Sequence, residues 1–549
     1  MKLKRPKLLL IIILMVSSLI FSLHLNISPG TVKVEETIKI GMLGPLAITT
    51  GKDMKLGAEL AIKEINSGGG VAVDGTMHEL ELVVRTTSHP TTGLPDVDTG
   101  VNNLQALQDQ DEVVASLGLF RREVTIACMG KMDRPFIGVG SSAPIITPYF
   151  WRLFPSNGSQ LTSALLSLYA LGLSDVGVQN ITIVREDAAW SLAMSNSIKF
   201  YLNSYLPTYV GTPIMNFTDD IKLMGDTSYS SVESALTPIK SELDGLTVNA
   251  IMTIFAGSAG RHITKAWSAL NMTQFLAGIN REAQSSTHFE KTEGAAYGEL
   301  YLIALPPDIN VTSKSGLFRQ AFFNEYGELP TPTATAAYDA VYVIADAIER
   351  TNSFNSTDIQ TALADTEYLG ASYKIKFTSE PNVWTHPIFG YPYGHVAYYD
   401  NGTRYVIPGV PTDLIVHDLY TTSGFGQYGQ PYIQVYFVQW QKGGERRTVW
   451  GKGPSPLEED LENNIEWPIN HNDHGYISPE PAPTSKPETK SESSTRTTEG
   501  EKTSITSTSE EETSKSQPSI TGPGFNQWIV LLIIGTLAVL IKRQRKINR

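Results

Sequence analysis

The sequence predicts an α/β fold of two doubly wound parallel-sheet lobes with a central ligand cleft. Three observations carry this expectation. Between about residues 34 and 452, short β-rich runs alternate with amphipathic runs of helical period, as parallel strands covered by helices on both faces require. The alternation comes as two series, broken at about 152–155. A chain of 549 residues is also too long for one ordinary core.

The first series reads strand 37–42, helix 52–65, strand 80–84, helix 101–108, strand 113–117, helix 123–132 and strand 136–139. Each strand is a short apolar run between turn residues, and each helix repeats apolar positions every three or four residues. The second series reads helix 160–171, strand 181–185, helices 189–205 and 231–243, strand 250–255, helix 261–270, and strands 275–279 and 300–304. Two long helical patterns follow at 316–326 and 333–351, and the region 373–450 turns aromatic, strand-like and turn-rich.

The ends differ from this body. Lys2, Lys4, Arg5 and Lys7 precede an apolar run over 8–23, so 1–30 reads as a signal peptide or signal anchor. Residues 453–522 are dominated by Ser, Thr, Glu, Pro and Lys, and cannot bury enough apolar surface to offset their ordering entropy; they read as a disordered stalk. The uncharged run 525–541 is expected to be a transmembrane helix, with the basic tail 542–549 on the cytoplasmic side and the body outside the cell. Sequons at Asn26, Asn157, Asn180, Asn216, Asn271, Asn310, Asn355 and Asn401 fit an exposed glycoprotein.

Composition and motifs exclude several functions. A net charge of −13 argues against nucleic-acid binding by a broad basic face. The single cysteine, Cys128, excludes an intramolecular disulfide and a Cys-cluster metal site, and reads as a buried apolar residue. The run from Gly44 to Asp53 fails as a phosphate loop. Six residues rather than four separate Gly44 from Gly51, and Asp53 stands where a magnesium-binding hydroxyl is needed. Gly424, Gly426 and Gly429 fit a dinucleotide fingerprint in spacing, but no helix follows them. His471 and His474 are read as part of a solvated turn rather than a metal site. No Gly-x-Ser-x-Gly elbow is present, and neither an enzyme nor a cofactor is expected.

What remains is the loop set at the C-terminal ends of the strands, where α/β sheets bind ligands. On the first lobe these loops carry Thr50, Phe120, Arg122, Ser141, Ser142 and Ala143; on the second they carry Trp190, Ser258, Asn280 and Glu282. Hydroxyls and helix N-termini suit a carboxylate, an acidic side chain suits an ammonium, and Trp190 suits an apolar or cationic group. Such a pair of poles would clamp an amino acid.

The run Ile38-Lys39-Ile40-Gly41-Met42-Leu43-Gly44-Pro45-Leu46, then Gly57 to Asn66, Arg134 to Pro144, Phe150 to Ser156 and Ala336 to Tyr342, closely resembles type 1 periplasmic binding proteins. The branch is the leucine/isoleucine/valine-binding family that serves ABC transporters, and the resemblance covers about 33–450. It implies two lobes joined by three crossovers, about 34–155 with 306–370 and about 156–305 with 371–451, which close on a ligand by hinge motion. It implies a carboxylate site at Arg122 and at Ser141 to Ala143, an aromatic wall at Trp190, and an acidic partner for the ligand amine near Asn280 to Glu282, with Glu282 chosen. Two departures stand out. The family often has Ser where Arg122 stands, and its aromatic position after the 250–255 strand falls here on Ala256 or Gly257, which argues against a pocket fitted to branched aliphatic side chains. The implied partners are a small ligand, such as an amino acid, amide or peptide, and permease and ATPase subunits on separate chains. The alternative is a sensory ectodomain acting through a signalling partner. Anchor, stalk and sequons together resemble archaeal surface proteins.

Overall fold

A computed structural model describes residues 37–155, 180–200, 202–203, 216–243, 249–381 and 435–450, with short stretches at 383–385, 392–394, 397–400, 403–406, 415–417 and 471–473. The expected signal segment, the helix 160–171, the glycines 424–429, the transmembrane run 525–541 and nearly all of the stalk lie outside the described residues. Among the described residues, no helix is long and apolar enough to cross a membrane.

In lobe one, β1 (Ile38–Gly44) leads into α1 (Thr49–Ser67). A small hairpin of β2 (Val71–Val73) and β3 (Thr76–His78) comes next, followed by β4 (Leu80–Thr86) and α2 (Val97–Asp109). Then come β5 (Ala115–Gly118), α3 (Arg122–Met129), β6 (Phe136–Gly138) and β7 (Phe150–Arg152). The sheet order is β4-β1-β5-β6-β7, all parallel, with Ile40 opposite Ala115 and Met42 opposite both Val84 and Leu117. β7 was not expected: its three residues form the last strand of the sheet just where the sequence reading placed only a break.

In lobe two, β8 (Asn180–Glu186), α4 (Ala189–Phe200), β9 (Asn216–Phe217), β10 (Ile221–Leu223) and α5 (Tyr229–Leu243) precede β11 (Asn249–Phe255). After these come α6 (Gly260–Ala269), β12 (Phe275–Asn280) and β13 (Leu300–Ile303). The order β10-β8-β11-β12-β13 is parallel, and Tyr436–Trp440 and Arg446–Trp450 extend it as antiparallel strands.

Between these last two parts the chain returns to lobe one with α7 (Ser315–Tyr326), α8 (Pro332–Thr351) and α9 (Ser356–Leu363). Local chemistry sets the ends of α8. Thr331 caps its N-terminus, Pro332 opens it, and Asn352 closes it in the left-handed region at φ 51°. α8 lies against α1 so closely that a Cβ on Gly57 would stand 2.0 Å from the Ala334 carbonyl oxygen.

Each lobe builds its own core. Ile40, Met42, Leu117 and Ile137 meet Val341, Ile344 and Ile348 of α8 on one face of the first sheet. Leu43, Leu107, Val124, Phe136 and Phe150 pack on the other face, with Cys128 buried among them. In lobe two, Val184, Ile251, Phe255, Trp267 and Leu276 form one cluster, and Tyr301, Tyr436, Val438 and Trp440 another.

The lobe limits need one correction. Ala371, Tyr373, Ile375 and Phe377 were expected in lobe two but are buried in the lobe-one core, around the hairpin of β14 (Glu367–Leu369) and β15 (Lys374–Lys376). His417 also joins lobe one, since its ring stacks on Trp151 at 3.6 Å and its carbonyl accepts from the Arg152 N–H. Packing holds these residues on lobe one beyond the limit near residue 370 that was expected for it.

Candidate functional site

The strand order places the C-terminal ends of both parallel sheets on the loops identified from sequence. β5 turns at Gly118, Leu119 and Phe120, with Leu119 in the left-handed region at φ 63°. Arg121 then caps α3 from an extended backbone, so its side chain leaves the lobe instead of lying along the helix. Its Nη2 donates to Glu186 Oε1 at 2.7 Å, and the two side chains are 16% and 4% exposed. The bond joins the lobes, because Glu186 ends β8. Strand alternation explains why Glu186 is available: its neighbour Arg185 turns the other way, onto Asp220 at 2.9 Å. Glu186 Oε2 accepts from the Ala256 N–H at 3.2 Å, and the Glu186 carbonyl accepts from the Ser191 hydroxyl.

A second charged group lies where the lobes meet. Asp53, on α1, accepts from the Thr331 hydroxyl at 2.8 Å. Burial raises its carboxyl to about 7; Glu328 and Glu282 push the same way, while the Thr331 bond and Lys291 oppose them. Nearby, the Leu329 N–H of lobe one donates to the Ser286 hydroxyl of lobe two at 3.3 Å. Arg281, following β12, lies over the Phe154 ring of the first crossover at 5.1 Å, and burial lowers its guanidinium to about 10.

The residues expected to touch ligand fare unequally. Thr50 is half-buried in the first turn of α1, and Ser142 is half-buried after β6. Trp190 is half-buried near the start of α4, and Ser258 is exposed between β11 and α6. Phe120 belongs to the lobe-one core. Ser141 is buried and its hydroxyl accepts from the Ala143 N–H at 3.3 Å, so that donor is already engaged. The Ala143 side chain packs in the core, and its carbonyl accepts from Arg152 at 2.6 Å.

Arg121 bridges to lobe two, and Arg122, expected at a carboxylate site, is the first residue of α3. Two expectations are corrected. Asn280 does not face the cleft, because its amide donates to Glu299 at 2.7 Å and to the Gly260 carbonyl at 3.2 Å, inside a buried network with Thr264 and His288. Glu282, chosen as the ammonium acceptor, is held by Arg261 of its own lobe at 3.0 Å. Outside the cleft, His471 is not solvated: its ring meets Trp267 edge-on at 4.4 Å and its Nε2 lies 2.8 Å from the Met272 carbonyl. Asp53 and Glu186 were missed as site residues, although both stood in the loops singled out. A charge ending a buried strand was the available signal for Glu186.

Two surface hollows of about 420 and 610 Å³ lie away from these loops. One is lined by Ser268, Asn271, Glu293 and His471, the other by Asp74, Arg134, Asn352 and Asn355.

The model of the periplasmic binding protein family matches residues 37–393. The chain belongs to that family. The type 1 periplasmic binding fold also recurs in solved structures. One is the branched-chain amino acid transporter substrate-binding protein LivJ from Streptococcus pneumoniae in complex with isoleucine, at TM-score 0.52 and 17% identity over 62% of this chain and 92% of that one. A leucine-binding protein LivK from Thermotoga maritima matches at TM-score 0.52 and 17% identity over 75% and 97%. A solute-binding protein of an ABC transporter from R. palustris, in complex with benzoate, matches at TM-score 0.52 and 15% identity over 75% and 96%. No curated protein sequence matches the chain. Like other periplasmic binding proteins, the chain has two α/β lobes whose strand ends face each other, and a solute-binding role is supported.

Proposed function

We propose that the protein is a membrane-tethered, extracellular solute-binding protein that captures an amino acid or a related small amide or peptide between its lobes and delivers it to an ABC-type permease. The observation that carries this reading is the meeting of Arg121 and Glu186 across the lobes, at the strand ends where this architecture binds ligands. Opposed, largely buried charges supply the two poles a small polar ligand needs. Trp190 offers a face for its apolar part. The exposed sequons Asn216, Asn271, Asn310 and Asn355 fit an extracellular body. The reading requires no catalysis, and it places permease and ATPase on separate chains.

The test is a thermal-shift screen of the full chain against amino acids, amides, short peptides and aromatic acids. Ligand at about 100 times its dissociation constant stabilises the folded state by about 2.7 kcal/mol, a readily seen shift. Trp190→Ala is expected to reduce the shift. A folded protein that responds to nothing across the panel would overturn the reading.

A further inference from the structure

We propose that Arg121 and Glu186 form a latch between the lobes which the ligand must take apart, and that this latch selects ligands carrying both an anionic group and a hydrogen-bond donor. That the pair latches the lobes stands on geometry; that a ligand takes it apart, and the selection that follows, rest on the solute-binding reading.

The two halves of the latch are held differently. Glu186 is fixed to lobe two: its Oε2 takes the Ala256 N–H, and its main-chain carbonyl takes the Ser191 hydroxyl and, at 3.3 Å, the Arg185 guanidinium. Arg121 arrives from lobe one and leaves with it. The approach depends on Gly225, where a Cβ would stand 2.4 Å from Glu186 Oε1 and 3.5 Å from Arg121 Nη2. The Ala259 N–H holds the Gly225 carbonyl at 2.9 Å, and a Cβ on Gly257 would strike that same oxygen at 2.1 Å. The loops after β10 and β11 thus form a fixed collar around the carboxylate, open to one guanidinium.

A ligand entering between these groups must give Arg121 an anion in place of Glu186, or leave a desolvated cation behind. It must also give Glu186 Oε1 a donor. With Arg121 in place that side chain is only 4% exposed, so when a ligand keeps the lobes closed, water has little room to replace the lost bond. An anion with no donor satisfies one half of the latch and strands the other. An anion bearing an ammonium, hydroxyl or amide N–H satisfies both. Sites with buried polar groups reject analogues that leave them unpaired far more strongly than apolar pockets reject a missing methylene.

The experiment uses the full chain in detergent, with nitroxide labels at Leu94→Cys and Met224→Cys. These positions are exposed, one on each lobe, and Cys128 is buried away from reagent. Without ligand, the label-to-label distance is expected to be narrow in the otherwise unchanged protein and longer or broader in Arg121→Gln. It should stay nearer the original distribution in Arg121→Lys, which keeps a cation for Glu186. Binding of leucine, 4-hydroxybenzoate and benzoate is then measured by calorimetry. The donor-bearing probe that binds is expected to weaken by about 100-fold in Arg121→Gln, and benzoate to bind about 100-fold more weakly than 4-hydroxybenzoate. An unchanged distance in Arg121→Gln overturns the latch, whatever binds. Equal affinity for benzoate and 4-hydroxybenzoate overturns the selection. If neither these probes nor any member of the thermal-shift panel binds, the solute-binding reading fails and the selection with it, while the label distances still decide the latch.

Discussion

Replacing Asp53 by Asn tests whether a buried carboxyl at the meeting of the lobes opposes folding at neutral pH. Asp53 accepts from Thr331 through Oδ2, and an Asn carbonyl can accept the same bond. Burial raises the folded carboxyl from 3.8 to about 7. A carboxyl shifted upward contributes stability that is complete below its unfolded value and is lost as pH rises through its folded value. Each tenfold step in proton affinity is worth about 1.4 kcal/mol, so the loss amounts to about 4 kcal/mol between pH 4 and pH 8. By pH 6 about 2.4 kcal/mol of it has gone. Asn does not titrate, so the stability of Asp53→Asn relative to the native chain should climb with pH and level off above about pH 8. Burial raises Asp339 to about 7 as well, but that residue is common to both proteins and cancels in the comparison. Urea unfolding of both proteins at pH 4, 6 and 8, followed by tryptophan emission, measures the difference. A difference that stays flat, or falls, between pH 4 and 8 would refute the reasoning.

Two further outcomes follow from packing. Gly57→Ala should destabilise the protein by about 3 kcal/mol, because the new Cβ would meet the Ala334 carbonyl at 2.0 Å and force α1 from α8; denaturant midpoints measure it, and an unchanged midpoint would show that the helices separate freely. Cys128 should not react with a thiol reagent until the protein unfolds, since it is buried and burial pushes its thiol up to about 12; native-state labelling at the rate of free cysteine would contradict its placement.

Much of the fold was legible because it is written locally. The strand over 37–42 and the helix over 333–351 were found within a few residues of Ile38–Gly44 and Pro332–Thr351, since period and capping act over one or two turns. The loops of the cleft followed from the strand order. The particular side chains did not. Arg121 and Arg122 are adjacent and chemically identical, and only the point where α3 begins decides which one reaches Glu186. Asn280 ends a strand beside the cleft, yet a buried carboxylate from Glu299, distant in sequence, draws it inward.

The sequence by itself determined the class of fold, the two series of elements, the buried cysteine and the loops at the strand ends, because hydrophobic period and turn chemistry depend on near neighbours along the chain. Only the tertiary structure decided that Ala371 to Phe377 and His417 belong to lobe one, that Arg261 occupies Glu282, that His471 docks on Trp267, and that Arg121 bridges to Glu186. Each of these joins groups that the fold, rather than adjacency along the chain, brings together. Their pairing is chosen by burial and charge among side chains that the sequence lists far apart.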